Sequence, residues 1–358
     1  MDHGLRRGRL AERFAELEVD GMLVTHLPNV RYLSGYSGSN GQVIVGADGG
    51  RFFTDGRYIE QSRREVPDLD RAIYSTDYVD VLKQACADLG IERLGFEASS
   101  VTYRDWERYG SLAGTLVPLT DEVGKLRWIK DKEELALIGE AQRLTDAGFE
   151  AVLERIRDGM TEKELARALE WEMLERGATG VAFETIAAFG EQAAEPHHEP
   201  TDRSLRRGDV VKLDFGALYE GYHSDMTRTL AFGEPSAQMR EVHEVVRAAQ
   251  QAGIDAVRAG VSGQEPDRAA RAVIDDAGYG EAFTHSLGHG VGLEIHEGPT
   301  LTSSETAKDE LLPASTVVTV EPGVYLAGAG GVRIEDMVIV TEDGCQVMPT
   351  TTKELIVL

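Results

Sequence analysis

The sequence predicts an α+β protein in two parts, a smaller α/β unit over residues 1–126 and a larger unit over residues 127–358. Three observations carry this. Strand-like and helical stretches alternate up to about residue 120. Two long helical stretches follow in "KDKEELALIGEAQRLTDAGFEAVLERIRDGMTEKELARALEWEMLERG". From about residue 183 strands rich in β-branched residues dominate, joined by glycine turns.

Taken in order, residues 5–18 place Leu5, Leu10, Phe14 and Leu17 on a helical stripe. "DGMLVTH" reads as a buried strand. "GQVIVG" and "RFFTD" read as a hairpin split by Ala47-Asp48-Gly49-Gly50. Helical "GRYIEQSRREV", strand-like "RAIYST", helical "YVDVLKQACADLG" and strand-like "RLGFEAS" complete the first unit. In the second unit Asp131 with Glu134, and Thr161 with Glu164, have the spacing of capping boxes and mark two helix starts. "DVVKLDFGALYEGYHSDMTRTLAF" reads as a long hairpin turning near Tyr219-Glu220-Gly221. Helices are expected at about 236–258 and 264–277. The C-terminal stretch "STVVTVEPGVYLAGAGGVRIEDMVIVTEDG" reads as a run of strands.

Composition narrows the function. The 358 residues are 42% hydrophobic and 28% charged, which suits a packed core. Net charge is −25, from 62 acids against 37 bases. That sign argues against nucleic acid and against anionic membrane surfaces, both of which need clustered Lys and Arg. The two cysteines, Cys86 and Cys345, lie far apart and suit a reducing compartment. The N-terminus lacks an apolar segment of signal-peptide type, and no run approaches the roughly 18 apolar residues of a membrane span. A cytoplasmic protein is expected.

Chemistry is concentrated in carboxylates and histidines. Asp214 lies between Leu213 and Phe215 on an apolar strand, where an unpaired charge is expensive. Asp225 lies on the returning strand, and folding the hairpin brings the two acids together. Such a pair cannot stay ionised without cations, although a surface hairpin with two solvated acids is the ordinary alternative. Glu321 in "TVEPGVY" and Glu335 in "GVRIEDMVIV" lie on further apolar strands. Alternation puts Arg333 and Glu335 on one face, which by itself reads as an ion pair on a wet surface. Taken together, four carboxylates match the charge of two divalent cations. "HSLGHGVGLEIHE" holds three of the nine histidines, His285, His289 and His296. Its glycines argue for a turn or short strand passing close to something, and Ser286 stands where a zinc-protease helix needs glutamate. One histidine as ligand and the others facing substrate is the expected division. "AEPHHEPTD" carries His197 and His198 in a loop fixed by prolines.

The motifs "LDFGALYEGYHSDMTRT", "HSLGHGVGLEIHEGP", "VVTVEPGVY" and "GGVRIEDMV" resemble those of the pita-bread metallopeptidases. "EPHHEPTDRSLRRGDVV" and "NVRYLSGYSGSNG…FFTDGRY" narrow the resemblance to the Xaa-Pro peptidase branch, aminopeptidase P and prolidase. The resemblance implies a pita-bread catalytic domain over 127–358 behind a creatinase-like N-terminal domain over 1–126, and a homodimer. It implies two divalent metal ions on Asp214, Asp225, His289, Glu321 and Glu335, with Asp225 and Glu335 bridging. Asp214 then caps one metal, and His289 with Glu321 holds the other. Such oxygen-rich ligation suits manganese, with cobalt or zinc as substitutes. Glu321 would shuttle the proton, and His197 and His296 would steady the developing oxyanion. His285 and Arg333 would contact or orient the substrate, while His198 has no direct role. Similar dipeptidases often carry an arginine after the "HEGP" step. Thr300 stands there, which favours an Xaa-Pro aminopeptidase over a dipeptidase. A peptide-binding module without turnover is the reading from another class, and the complete ligand set speaks against it.

Overall fold

The computed structural model describes residues 1–75 and 77–358. Thr76, which closes the strand-like stretch "RAIYST", lies outside them. The chain divides into two compact units, Met1–Arg127 and Trp128–Leu358.

In the first unit the strands are β1 (Gly21–Val24), β2 (Gln42–Gly46), β3 (Gly49–Asp55), β4 (Asp70–Tyr74), β5 (Arg93–Glu97) and β6 (Thr115–Leu119). They form one mixed sheet in the order β4-β3-β2-β1-β5-β6. The hairpin of β2 and β3 closes through Ala47-Asp48 alone, with Gly46 opposite Gly49. The helices are α1 (His3–Ala11), α2 (Leu27–Ser34), α3 (Ile59–Glu65), α4 (Val79–Asp88), α5 (Tyr103–Tyr109) and α6 (Glu122–Trp128). Leu23, Ile44, Phe53, Leu82 and Leu94 meet in the core. The expected first helix is shorter than its apolar stripe. After Ala11 the chain tightens into i→i−3 turns, Arg13 N to Leu10 O and Phe14 N to Ala11 O, and these bury Phe14.

The second unit opens with α7 (Lys132–Leu153) and α8 (Glu162–Glu175). Both start on complete capping boxes. Asp131 accepts from Glu133 N and Glu134 N at 2.9 Å, and Glu134 accepts from Asp131 N at 3.0 Å. Thr161 and Glu164 exchange the same pair of bonds. Short strands follow: β7 (Gly180–Val181), β8 (Ile186–Phe189), β9 (Asp209–Phe215), β10 (Ala217–Tyr219), β11 (Tyr222–His223) and β12 (Met226–Phe232). Helices α9 (Ala237–Ala256) and α10 (Gln264–Asp276) come next. The remaining strands are β13 (Gly288–Gly290), β14 (Glu297–Leu301), β15 (Val317–Val320), β16 (Gly323–Leu326), β17 (Gly330–Arg333), β18 (Asp336–Val340) and β19 (Cys345–Val347). Their main sheets run β12-β9-β8 and β14-β13-β15-β18-β19.

Two cores sandwich these strands. Phe149, Leu165 and Leu169 of α7 and α8 pack with Val211, Leu213 and Phe215 of β9. Val242 and Val246 of α9 pack with Leu287, Val318, Val320 and Val338. The twofold period of β9 therefore gives Val211, Leu213 and Phe215 to the first core and turns Lys212 and Asp214 the other way. Among the described residues no helix is long and apolar enough to cross a membrane.

Candidate metal centre

The acids sit at strand ends. Asp214 is the last residue but one of β9, and register pairs it with Thr227 of β12. Asp225 immediately precedes β12, Glu321 immediately follows β15, and Glu335 lies in the two-residue link between β17 and β18. Strand ends are where side chains from neighbouring sheets can converge. The wet face expected for Arg333 and Glu335 is absent: the two residues are 3% and 1% exposed. The alternation itself holds, with Ile334 in the apolar core and both Arg333 and Glu335 on the cavity side, but that side is enclosed rather than wet.

His289 sits in the middle of β13, between two glycines that have no room for a side chain. A Cβ on Gly288 would lie 2.0 Å from Thr319 O, and one on Gly290 would lie 2.2 Å from Gly298 O. The backbones of β13, β14 and β15 thus close tightly around the imidazole. Its Nδ1 lies 3.1 Å from Gly290 O. With Nδ1–H donating there, the lone pair of Nε2 faces Glu321 Oε1 at 3.3 Å and Asp225 Oδ2 at 3.6 Å. Lone pairs facing carboxylates need a proton or a cation between them. One donor atom each from Asp225, His289 and Glu335 lies within 4.8 Å of the others.

The charges are out of balance without a cation. Burial pushes Asp225 well above the usual carboxylate range, and the charges of Glu335, Asp214 and Glu321 add to it. Burial does the same to Glu335, with Glu321 and Asp214 reinforcing it. For Glu321 burial is outweighed by its hydrogen bond and attraction to His289, and its pKa falls to about 2. His289 is correspondingly raised: burial opposes the imidazolium, and Glu321 overcomes it. The buried oxygens Asp214 Oδ1 and Asp225 Oδ1 have no donor among the described residues. This crowding of unpaired acceptors fits divalent cations, which supply the positive charge the protein omits.

A frame of neutral and cationic groups holds the acids. Arg333 pairs with Asp214 and donates to Tyr325 Oη at 2.8 Å and to Thr227 Oγ1 at 3.1 Å. Thr227 in turn donates to Glu335 Oε2 at 2.7 Å. Thr319 Oγ1 accepts from His289 N at 3.0 Å and donates to Glu321 at 3.2 Å. His285 Nε2 is 2.9 Å from Tyr325 Oη, which ties it to the same frame. Thr227, Thr319 and Tyr325 were not singled out from sequence. Each sits two to four residues from a nominated acid, inside the motifs already quoted, and only the register shows its partner.

All nine nominated residues line one cavity of roughly 770 Å³: Asp214, Asp225, His289, Glu321, Glu335, His197, His285, His296 and Arg333. His197 and His296 are exposed in it, and the His296 ring stands 4.3 Å from that of His289. Burial, with the His289 charge behind it, lowers the pKa of His296. Burial also lowers that of His285. His198, in the same loop as His197, is buried between Glu162 at 2.9 Å and Glu195 at 2.7 Å. Thr300 and the apolar Phe183, Ile186 and Ile295 complete much of the wall.

The chain is 36% identical over 356 residues to an Xaa-Pro dipeptidase of Pyrococcus furiosus, covering 98% of this chain and 99% of that one. The solved structure of an Xaa-Pro dipeptidase from Bacillus anthracis superposes with a TM-score of 0.96 at 39% identity, covering both chains completely. An X-Pro aminopeptidase from Thermotoga maritima superposes with a TM-score of 0.89 at 38% identity, over 97% of this chain and 99% of that one. The model of the Creatinase/Prolidase N-terminal domain matches residues 6–129, and that of metallopeptidase family M24 matches residues 136–342. A creatinase-type domain precedes a pita-bread domain whose cavity gathers carboxylates and histidines, and the chain belongs to metallopeptidase family M24, as a hydrolase of its Xaa-Pro dipeptidase and prolidase branch.

Proposed function

We propose that this chain is an Xaa-Pro dipeptidase. It cleaves the bond between a free N-terminal residue and a C-terminal proline, with two divalent cations, manganese by preference, held by Asp214, Asp225, His289, Glu321 and Glu335. One observation carries the reading: these groups converge in one cavity with their carboxylates too close to share it without cations. The dipeptidase names of the Pyrococcus furiosus and Bacillus anthracis relatives favour the dipeptide over a longer peptide.

An Xaa-Pro bond is a tertiary amide with no N–H and a ring-fixed φ, so it needs a dedicated site. When bound, a metal pair supplies Lewis acidity and lowers the pKa of water enough to make it a nucleophile near neutral pH. Glu321 takes up a proton on its carboxylate and delivers it to the departing proline nitrogen. His197 and His296 face the cavity and donate hydrogen bonds to the carbonyl oxygen as charge grows there. Arg333 holds Asp214 in place through their ion pair. His285 and Tyr325 brace Arg333 from the far side. The same reading makes the protein a cytoplasmic homodimer. Its two cysteines are unpaired.

A second reading, Xaa-Pro aminopeptidase, has Thr300 in its favour. No arginine stands at that point of the wall to receive a proline carboxylate, and the Thermotoga maritima structure is named an X-Pro aminopeptidase. Hydrolysis of Ala-Pro and Ala-Pro-Ala in the presence of Mn2+ decides between them. Faster cleavage of the dipeptide is expected. Cleavage of the tripeptide alone transfers the assignment to the aminopeptidase, and cleavage of neither removes both.

A further inference from the structure

His197 is an exposed side chain on a loop, yet the main chain on both sides of it is gripped by buried groups, most of them outside the nominated site. Upstream, Lys212, 0% exposed, donates from Nζ to Glu195 O and lies 3.4 Å from Pro196 O. Arg333 donates to the same Pro196 oxygen at 3.2 Å. Lys212 reaches there because it shares the Asp214 face of β9.

Downstream, one carboxylate does the work. Glu162 is the first residue of α8 and is also 0% exposed. Its Oε2 accepts from Thr201 N at 2.9 Å and from Thr201 Oγ1 at 2.6 Å, and lies 2.9 Å from His198 Nε2. Its Oε1 accepts from Phe189 N at 2.8 Å, which fixes the same carboxylate to the end of β8. The free amides of the helix start join in: Glu162 N donates to Arg203 O and Lys163 N to Thr201 O, each at 3.2 Å. His198 closes the clamp by reaching Glu195 Oε2 at 2.7 Å, across His197. A buried charge with this many donors is costly to assemble and loses little freedom afterwards, which suits a fixed anchor.

We propose that Glu162 and His198, with Lys212 opposite, are positioning residues that hold His197 at the carbonyl-binding side of the cavity. The inference rests on the Xaa-Pro peptidase reading for its effect on rate, and on hydrogen bonding alone for its effect on loop order. Glu162→Leu removes both acceptor oxygens at similar volume and releases the downstream grip. His198→Asn removes the cross-brace with a smaller perturbation and serves if the first variant fails to fold.

Each substitution is made in the parent chain and in His197→Ala, with Arg167→Ala, on the exposed face of α8, as control. Amide hydrogen exchange over 195–201, metal content and steady-state kinetics on Ala-Pro are measured. Exchange over 195–201 is expected to rise at least about 10-fold while metal content stays unchanged. Turnover is expected to fall about 10- to 100-fold with KM little changed, as for groups that orient an active-site side chain. In the His197→Ala background the same substitution then changes kcat by less than about 2-fold, because its effect passes through the missing imidazole. Equal losses in both backgrounds, or unchanged exchange in both variants, overturns the proposal. If the parent chain cleaves no Xaa-Pro peptide, the functional reading fails by itself, and the exchange result alone sustains or overturns the anchor.

Discussion

At the scale of single residues the cavity is defined by what its acids cannot do unaided. Asp225 and Glu335 are buried beside other carboxylates, and both are pushed above their ordinary range. A carboxyl group whose folded pKa exceeds its unfolded value of about 4 stabilises the fold below that value. The stabilisation is lost as pH rises through the elevated folded pKa. Glu321, held at about 2, has the opposite sign, but its contribution is lost only as pH falls toward 2. His289, raised by Glu321, also loses its contribution as pH rises. Metal-free protein is therefore expected to lose Tm between about pH 5 and pH 8. Saturating Mn2+ restores more at pH 8, where protons no longer compete for the same oxygens. With Mn2+ fixed at 100 times its Kd at pH 8, the gain there is about 2.7 kcal/mol, or roughly 5–10 °C, and smaller at pH 5.5. Calorimetry in chelator and in Mn2+ at both pH values checks this, and an equal gain at pH 5.5 and pH 8 contradicts it. Asp225→Asn removes a donor from the tightest cluster and is expected to weaken metal binding by at least about 100-fold. Titration calorimetry reads it; parent-like affinity would show that Asp225 is not a ligand.

At the scale of elements, the strand ends do the gathering, and close backbone approach keeps them in place. Gly290 is opposed by Val318 on one side and Glu297 on the other, with Gly298 O where its Cβ would stand. Gly290→Ala must push two strands apart. The expected cost is about 1–3 kcal/mol, seen as a Tm roughly 3–10 °C lower, together with weakened metal binding at the neighbouring His289. An unchanged Tm would mean the sheet yields there freely. These elements differ in how legible they were. Both capping boxes announced α7 and α8, because an N-cap signal is local and needs no partner. The hairpin of β9 and β12 was readable from its alternation and glycine turn. Helices α2, α5 and α6 were not: each is short, and tertiary contacts rather than propensity hold it, such as Tyr109 of α5 in the core and the bond from Arg127 of α6 to Asn29 of α2. The burial of Arg333 and Glu335 was equally hidden. Twofold alternation puts them on one face, as the structure does, but only the surrounding sheets make that face an enclosed cavity. Thr227 and Tyr325 were invisible as site residues because nothing in a threonine announces a glutamate 108 residues away, nor in a tyrosine a histidine 40 residues away.

At the scale of the whole molecule, composition set the class correctly in one respect: the excess of acids is spread over the chain, but a few of them are buried together. Charge alone could not say which. Motif order did, since the nominated acids and histidines come from five separate motifs between His197 and Glu335 that meet only in the folded second unit. That scattering has a kinetic consequence. No hairpin or helix pair taken alone holds enough of the donors to capture an ion, so a partly folded chain offers a cation nothing to grip. The cation is a latch rather than a seed. In stopped-flow experiments Mn2+ is expected to leave the refolding limb of the chevron within about 2-fold and to slow unfolding by about 100-fold at 100 times Kd.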